Sequence, residues 1–115
     1  MVKSRKKIRF GIIGCSNIAE TSVIPAIKES KFAEVEFIGS RNKKKASLIA
    51  KKFGCKKFGD YQDVINDKNI DAVYISTPVS LHEKWTIKSA KMKKHILCEK
   101  SLSDSFQSVK KMVNI

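Results

Sequence analysis

Arg9-Phe10-Gly11-Ile12-Ile13-Gly14-Cys15-Ser16-Asn17-Ile18-Ala19 is an apolar run that reaches a glycine, turns over small residues and enters a helical pattern. A buried strand that turns tightly into a helix brings backbone N–H groups and a helix N-terminus to face a pyrophosphate with no side chain in the way. Gly14, Ser16 and Ala19 occupy the three positions of the G-x-G-x-x-G/A pattern, but Ser16 stands where the second glycine belongs. That glycine normally gives the phosphates their closest approach to the backbone. Taken alone, such a turn also reads as an ordinary strand-to-helix connection, so its meaning depends on the rest of the chain.

Downstream, hydrophobic periodicity predicts a repeating strand-helix order. Ile8 to Ile13 reads as a first strand, apolar enough to be buried on both faces as in a parallel sheet. Ile18 to about Glu29 reads as a helix that Pro25 should kink or delay, since proline has no N–H to donate. Glu34 to Gly39 is a second strand. Ala46, Ile49, Ala50 and Phe53 recur at the spacing of one helical face, with Gly54 placed for a left-handed cap. Lys56 to Phe58 is a short third strand, and Asp60 is placed to cap a short helix carrying Tyr61, Val64 and Ile65.

Ala72 to Ile75 is a fourth strand, which Thr77-Pro78 ends. Ser80-Leu81-His82-Glu83 has the spacing of a capping box for a helix to about Met92. His95 to Cys98 is a fifth strand, and Asp104 with Gln107 repeats the capping-box pattern ahead of a helix through Val113. The predicted fold is α/β: a doubly wound, right-handed parallel sheet of Rossmann type, with strand order 3-2-1-4-5. Ligands of such sheets lie beyond the carboxyl ends of the strands, where strands 1 and 4 diverge. Gly14 to Ala19, Ser40-Arg41, Ser76-Thr77-Pro78 and Glu99-Lys100 all fall on that edge.

Bulk composition fits this reading. The 115 residues are 42% hydrophobic, enough for one domain with a single core over residues 1–115. Against 11 Asp+Glu stand 24 Lys+Arg, a formal net charge of +13 that favours anionic partners. The lysines are scattered through every segment rather than concentrated with aromatics on one element, so a nucleic-acid reader is the weakest of the functional readings. Cys15, Cys55 and Cys98 are odd in number, lack metal-ligand spacing and sit in or beside apolar segments, which fits a reducing cytoplasm. The apolar part of Met1 to Cys15 is too short and too glycine-broken for a secretory signal, and no window approaches a membrane span.

With GIIGCSNIA, GSRN, IDAVYISTPVSLHEKW and HILCEKSL in this order, the chain resembles the N-terminal domain of the glucose-fructose oxidoreductase / inositol dehydrogenase / MocA family of dinucleotide-dependent enzymes, from about Ile8 to Val113. The resemblance implies an NAD(P)-binding domain of an oxidoreductase that moves a hydride to or from a sugar- or polyol-like substrate. On it, the cofactor-contacting positions are Gly14, Cys15, Ser16, Asn17 and Ile18 in the turn, Ser40, Arg41 and Lys44 after the second strand, Ser76, Thr77 and Pro78 after the fourth, and Glu99 after the fifth. NAD-binding folds usually place a carboxylate after the second strand to hold the adenosine ribose. Ser40 and Arg41 stand there instead, with Lys43 and Lys44 behind them; a hydroxyl and cations suit a 2′-phosphate, so NADP is favoured, with NAD the second choice.

Glu99-Lys100 matches the family's E-K-P motif, which implies that Lys100, supported by Glu99, assists proton transfer. Burial or a neighbouring charge would draw such a lysine's pKa toward the working range. Ser101 replaces the proline of that motif, and Lys93 replaces a glycine that usually ends the preceding helix. His82 matches a family position and is expected to serve in packing and hydrogen bonding; no metal site is expected.

Family members also carry a second, substrate-binding domain built on an open sheet, and none of it is contained in these residues. The expectation is a fragment or a natural short product, without dehydrogenase turnover on its own and with apolar surface that could drive self-association. The competing reading is a non-catalytic nucleotide-binding or regulatory module, in which Ser16 and Ser101 mark lost sites.

Overall fold

The computed structural model describes residues 7–99. The expectations for the basic leader before Lys7, for Lys100 and Ser101, and for the Asp104–Gln107 capping box with its helix lie outside the described residues. Five parallel strands form one sheet: β1 Ile8–Ile13, β2 Ala33–Gly39, β3 Lys57–Gly59, β4 Ala72–Ile75 and β5 His95–Cys98. Their order is β3-β2-β1-β4-β5, the predicted one. The helices are α1 Ile24–Glu29, α2 Lys43–Phe53, α3 Tyr61–Asn66 and α4 His82–Lys91.

Side chains alternate across the sheet and build a core on each face. Ile12, Ile38 and Tyr74 point to one side, where Ile24 and Ile27 of α1 and Ala46, Ile49 and Ala50 of α2 cover them. Ile13, Val73 and Ile75 point to the other, against Tyr61, Val64 and Ile65 of α3 and Trp85 of α4. A fully buried isoleucine such as Ile12 or Ile13 contributes about 1.5–3 kcal/mol. The near-continuous apolar character of β1 and β4 therefore has its cause in burial on both faces.

The strand ends are aligned in one row. Ile13 pairs with Gly39 and with Ile75, Gly39 with Gly59, and Ile75 with Cys98. Beyond each end the next residue makes one more ladder bond: Gly14 N–H to the Gly39 carbonyl at 3.1 Å, Ser40 N–H to Gly59 at 3.0 Å, Ser76 N–H to Ile13 at 2.9 Å, and Glu99 N–H to Ile75 at 2.9 Å. The four loops singled out in the sequence thus leave the sheet at one level. The reversal of strand order between β1 and β4 opens a crevice between them.

Local sequence explains most element boundaries. Ala19–Val23 is a π-helical turn, in which the Ile24 N–H bonds the Ala19 carbonyl, and the regular α1 starts only at Ile24 with Pro25 in its first turn. Helical backbone runs on from the π turn into α1, so the missing N–H of Pro25 falls where π bonding gives way to the regular part, the late start of that part expected of proline. Asn42 caps α2, accepting the Lys44 and Lys45 N–H groups at 3.0 and 3.2 Å, and Gly54 ends it at φ 71°. Asp60 and Asp63 form a reciprocal capping box on α3.

The capping box expected of Ser80 and Glu83 does not form. Pro78 starts a tight 3-10 turn over Val79–Leu81, closed by the Leu81 N–H to the Pro78 carbonyl at 2.8 Å. Ser80 is therefore already inside helical backbone and cannot take the extended conformation of an N-cap; Leu81 precedes α4 instead, with no side-chain cap. Smaller differences are single-residue shifts, β2 starting at Ala33 and β3 running Lys57–Gly59.

Lys93, past the end of α4, has φ 62°, the left-handed conformation that glycine holds without penalty. Its strain of about 1–2 kcal/mol is partly offset by lysine's smaller entropy in the unfolded chain. Lys93→Gly should therefore raise unfolding stability by about 0.5–1 kcal/mol in a urea titration, and a lower stability would contradict the assignment of strain there.

Candidate functional site

A cleft of about 420 Å³ opens at the carboxyl ends of β1, β2 and β4. It is lined by Gly14, Cys15, Ser16, Ser40, Arg41, Asn42, Lys45, Tyr61, Ser76, Thr77 and Pro78. Among the described residues no carboxylate lines it.

The floor is the turn after β1. Gly14 has φ 107°, and a Cβ built on it would lie 2.9 Å from both the Ser76 carbonyl carbon and the Thr77 nitrogen. Neither backbone group can move without breaking the sheet edge, so the position excludes every side chain. Ser16 turns its hydroxyl back toward the helix, accepting the Ala19 N–H at 3.1 Å, as a cap does. Cys15 lies beside it with its thiol directed at the Gly39 carbonyl at 3.6 Å; burial pushes the thiol pKa up, and Lys45 partly opposes that.

The wall after β2 carries the positive charge. Ser40 is buried and its hydroxyl accepts the Asn42 N–H at 3.1 Å, which bends the chain into the cap of α2. Arg41 is exposed at the rim and interacts with the phenol of Tyr61. Tyr61 is buried against Trp85 in an edge-to-face pair with centroids 5.1 Å apart, and burial raises its phenol pKa while Arg41 lowers it. Such a ring pair contributes about 0.5–1.5 kcal/mol and holds the phenol at the cleft.

The opposite wall is the loop after β4. Thr77 is 5% exposed, yet its Oγ1 has no hydrogen-bond partner. His82, itself buried at the start of α4, holds the Thr77 carbonyl through Nε2 at 2.8 Å. This is the hydrogen-bonding role expected of His82, and no group of three potential metal ligands exists among the described residues.

Eight sequence-predicted positions thus meet in the cleft: Gly14, Cys15, Ser16, Ser40, Arg41, Ser76, Thr77 and Pro78. Asn17 and Ile18 are exposed on the turn but do not line it. Lys44 does not line it either; Lys45 does. Counting back from the inward positions of α2, Lys45 stands four before the buried Ile49, whereas Lys44 stands four before Leu48, which is 67% exposed. Glu99 stands outside the cleft, where its carboxylate accepts a hydrogen bond from the Tyr74 hydroxyl. No local pattern marks Asn42, Lys45 or Tyr61 as cleft residues, although the helical period selects Lys45 once α2 begins at Lys43.

The residues fit a phosphorylated dinucleotide: a side-chain-free turn, a buried hydroxyl without a partner, and two cations on a cleft that no carboxylate lines among the described residues. A parallel sheet with such a cleft at its switch point defines a nucleotide-binding domain of Rossmann type. The chain belongs to the GFO/IDH/MocA oxidoreductase family with its NAD-binding Rossmann fold, whose profile matches residues 8–115. It is 40% identical over 97 residues to D-xylose 1-dehydrogenase (NADP(+)) 2 of Haloferax volcanii, covering 84% of this chain and 30% of that protein. It is 37% identical over 98 residues to the dTDP-3,4-didehydro-2,6-dideoxy-alpha-D-glucose 3-reductase of Streptomyces violaceoruber, covering 85% and 29%.

A 3-ketoreductase from Actinomadura kijaniata in complex with NADP superposes with a TM-score of 0.90 at 30% identity, over 95% of this chain and 35% of that one. The WlbA dehydrogenase from Bordetella pertussis, in complex with NADH and UDP-GlcNAcA, gives 0.87 at 30%, over 95% and 33%. The chain spans about a third of the length of the curated relatives it matches.

Crowding and backbone conformation at the turn can be separated by comparing two glycines of positive φ. Gly54→Ala, at φ 71° with nothing within 4 Å, should cost about 1 kcal/mol of unfolding stability. Gly14→Ala should cost well over 2 kcal/mol, because strain and backbone collision combine. Equal losses would show that the close approach of β4 plays no part.

Proposed function

We propose that this chain is the dinucleotide-binding part of an NADP-preferring oxidoreductase acting on a sugar- or polyol-like substrate. The observation that carries the reading is the wall after β2, where Ser40, Arg41 and Lys45 line the cleft with no carboxylate among the described residues. A carboxylate there would hold the ribose hydroxyls of NAD and repel a 2′-phosphate; a hydroxyl, a guanidinium and an ammonium attract it. Two similar proteins carry NADP in their names or complexes, while a third was solved with NADH, so the preference is this chain's own question.

When bound, the nicotinamide supplies or accepts the hydride. The chain's residues do the holding. The turn from Gly14 presents backbone N–H groups to the pyrophosphate. Arg41 and Lys45 take the 2′-phosphate, and the Tyr61 phenol, which interacts with Arg41, helps to hold the guanidinium. Thr77 offers its unpartnered hydroxyl to the ligand, and Pro78 directs the loop away. Lys100, with Glu99 before it, takes the proton-handling role that the resemblance implies.

Calorimetric titration of the chain tests the cofactor reading. NADPH should bind at least about tenfold more tightly than NADH, since one charge-assisted contact contributes about 1.5–3 kcal/mol. Arg41→Ala should remove most of that preference with little effect on NADH, and Lys45→Ala should weaken NADPH more than Lys44→Ala does. Equal losses for both cofactors, or binding of neither by the folded chain, would contradict the assignment.

A further inference from the structure

Ser16 replaces the glycine that lets phosphates approach most closely, so at first sight it is a defect in the turn. The hydrogen bonds say otherwise. Ser16 Oγ accepts the Ala19 N–H at 3.1 Å and donates its proton to Ser76 Oγ at 2.8 Å. Ser76 is buried and donates its own proton to the Gly14 carbonyl at 2.8 Å. The chain of bonds therefore runs one way, from the Ala19 N–H through the two hydroxyls to the Gly14 carbonyl. It begins and ends on the two residues that bracket the turn, and it passes through the first residue after β4.

We infer that Ser16 and Ser76 form a hydroxyl clasp that positions the Gly14–Ala19 turn for an incoming phosphate. The inference rests on the dinucleotide reading proposed above. Both hydroxyl protons are committed within the protein, so neither serine has a proton left for the phosphate. What meets the ligand is backbone N–H, already ordered before binding. A turn ordered in the free protein loses less entropy when the ligand arrives, and a one-way chain of hydroxyls polarises each bond in turn. Glycine at position 16 would open space but release the turn. Ser16 and Ser76 are thus positioning residues, and the serine at position 16 is matched to the serine at position 76 across the β1–β4 crevice.

The two views of Ser16 predict opposite signs for one variant. If Ser16 only obstructs, Ser16→Gly tightens NADPH binding. If the clasp holds the turn, Ser16→Gly and Ser76→Ala each weaken it by about 3- to 10-fold. In the latter case the double variant is no weaker than either single one, because one chain of bonds is lost only once. Ser16→Thr, which keeps the hydroxyl, stays within about twofold of the parent. Calorimetry on the full chain gives these constants, and circular dichroism verifies that each variant is folded.

Amide hydrogen exchange supplies a readout that needs no cofactor: Ser76→Ala should speed exchange of the Ala19 amide, which it does not touch. Tighter or unchanged NADPH binding by Ser16→Gly, losses that multiply in the double variant, or unaltered Ala19 exchange in Ser76→Ala would each overturn the clasp. A parent chain that binds neither NADPH nor NADH, but whose Ala19 exchange still rises in Ser76→Ala, would overturn the proposed function while supporting the clasp as the organiser of the turn.

Discussion

The carboxyl ends of β1 and β4 approach so closely that the residue leaving β1 can have no side chain. Gly14 meets that constraint twice, by its φ of 107° and by the 2.9 Å that separates a hypothetical Cβ from the Ser76 and Thr77 backbone. Because β1 is the central strand, the consequence spreads in both directions. Its last residues ladder with Gly39 on one side and Ile75 on the other, so the loops after β2 and β4 are brought to the level of the turn. The cleft is the space left between three loops that the sheet register forces into one row.

Chemistry is distributed around that row by local sequence. Asn42 ends the β2 loop by capping α2, and the helical phase that follows sends Lys45 inward and Lys44 outward. His82 begins α4 and reaches back to the Thr77 carbonyl, so the helix start and the cleft wall are one unit. Part of the remaining positive charge is engaged within the fold. Lys57 bridges Glu36 and Asp67 at 2.7 and 2.9 Å, and Lys94 donates to the Asp67 and Ile70 carbonyls, both at 2.8 Å. Burial pushes the Lys94 pKa below its usual value, and the nearby Asp67 and Asp71 oppose the shift. The high net charge is therefore spread over the fold, in keeping with the dispersed lysines of the sequence.

What could be read in advance was what depends on local pattern. Apolar runs and alternation point to every described strand, with β1, β4 and β5 matching to the residue; the signal is strongest in β4, which is buried on both faces. Gly54 and Pro25 announced a helix end and a delayed helix start through backbone limits that act within a few residues. Where the structure departs from local pattern, the cause lies elsewhere in the fold. Ser80 and Glu83 have the spacing of a cap, but Pro78 had already committed the chain to a 3-10 turn. Lys44 is near Arg41 in sequence, but helical phase brings Lys45 to the cleft lining. Tyr61 is held at the cleft by Trp85, which packs on it from another helix. The Ser16–Ser76 pair joins residues 60 positions apart, which no local pattern in a single sequence can reveal.

On the function proposed above, a phosphorylated dinucleotide sits in the cleft between the β1 turn, the β2 wall and the β4 loop. Mapping backbone amide shifts by NMR as NADP is added to the chain tests that claim most directly. The largest changes should fall on Gly14–Ala19, Ser40–Lys45 and Ser76–Thr77, with Phe32, ahead of β2 at the opposite edge of the sheet, unmoved. Shifts centred on β5, or spread over the lysine-rich surface with no focus at the turn, would contradict it.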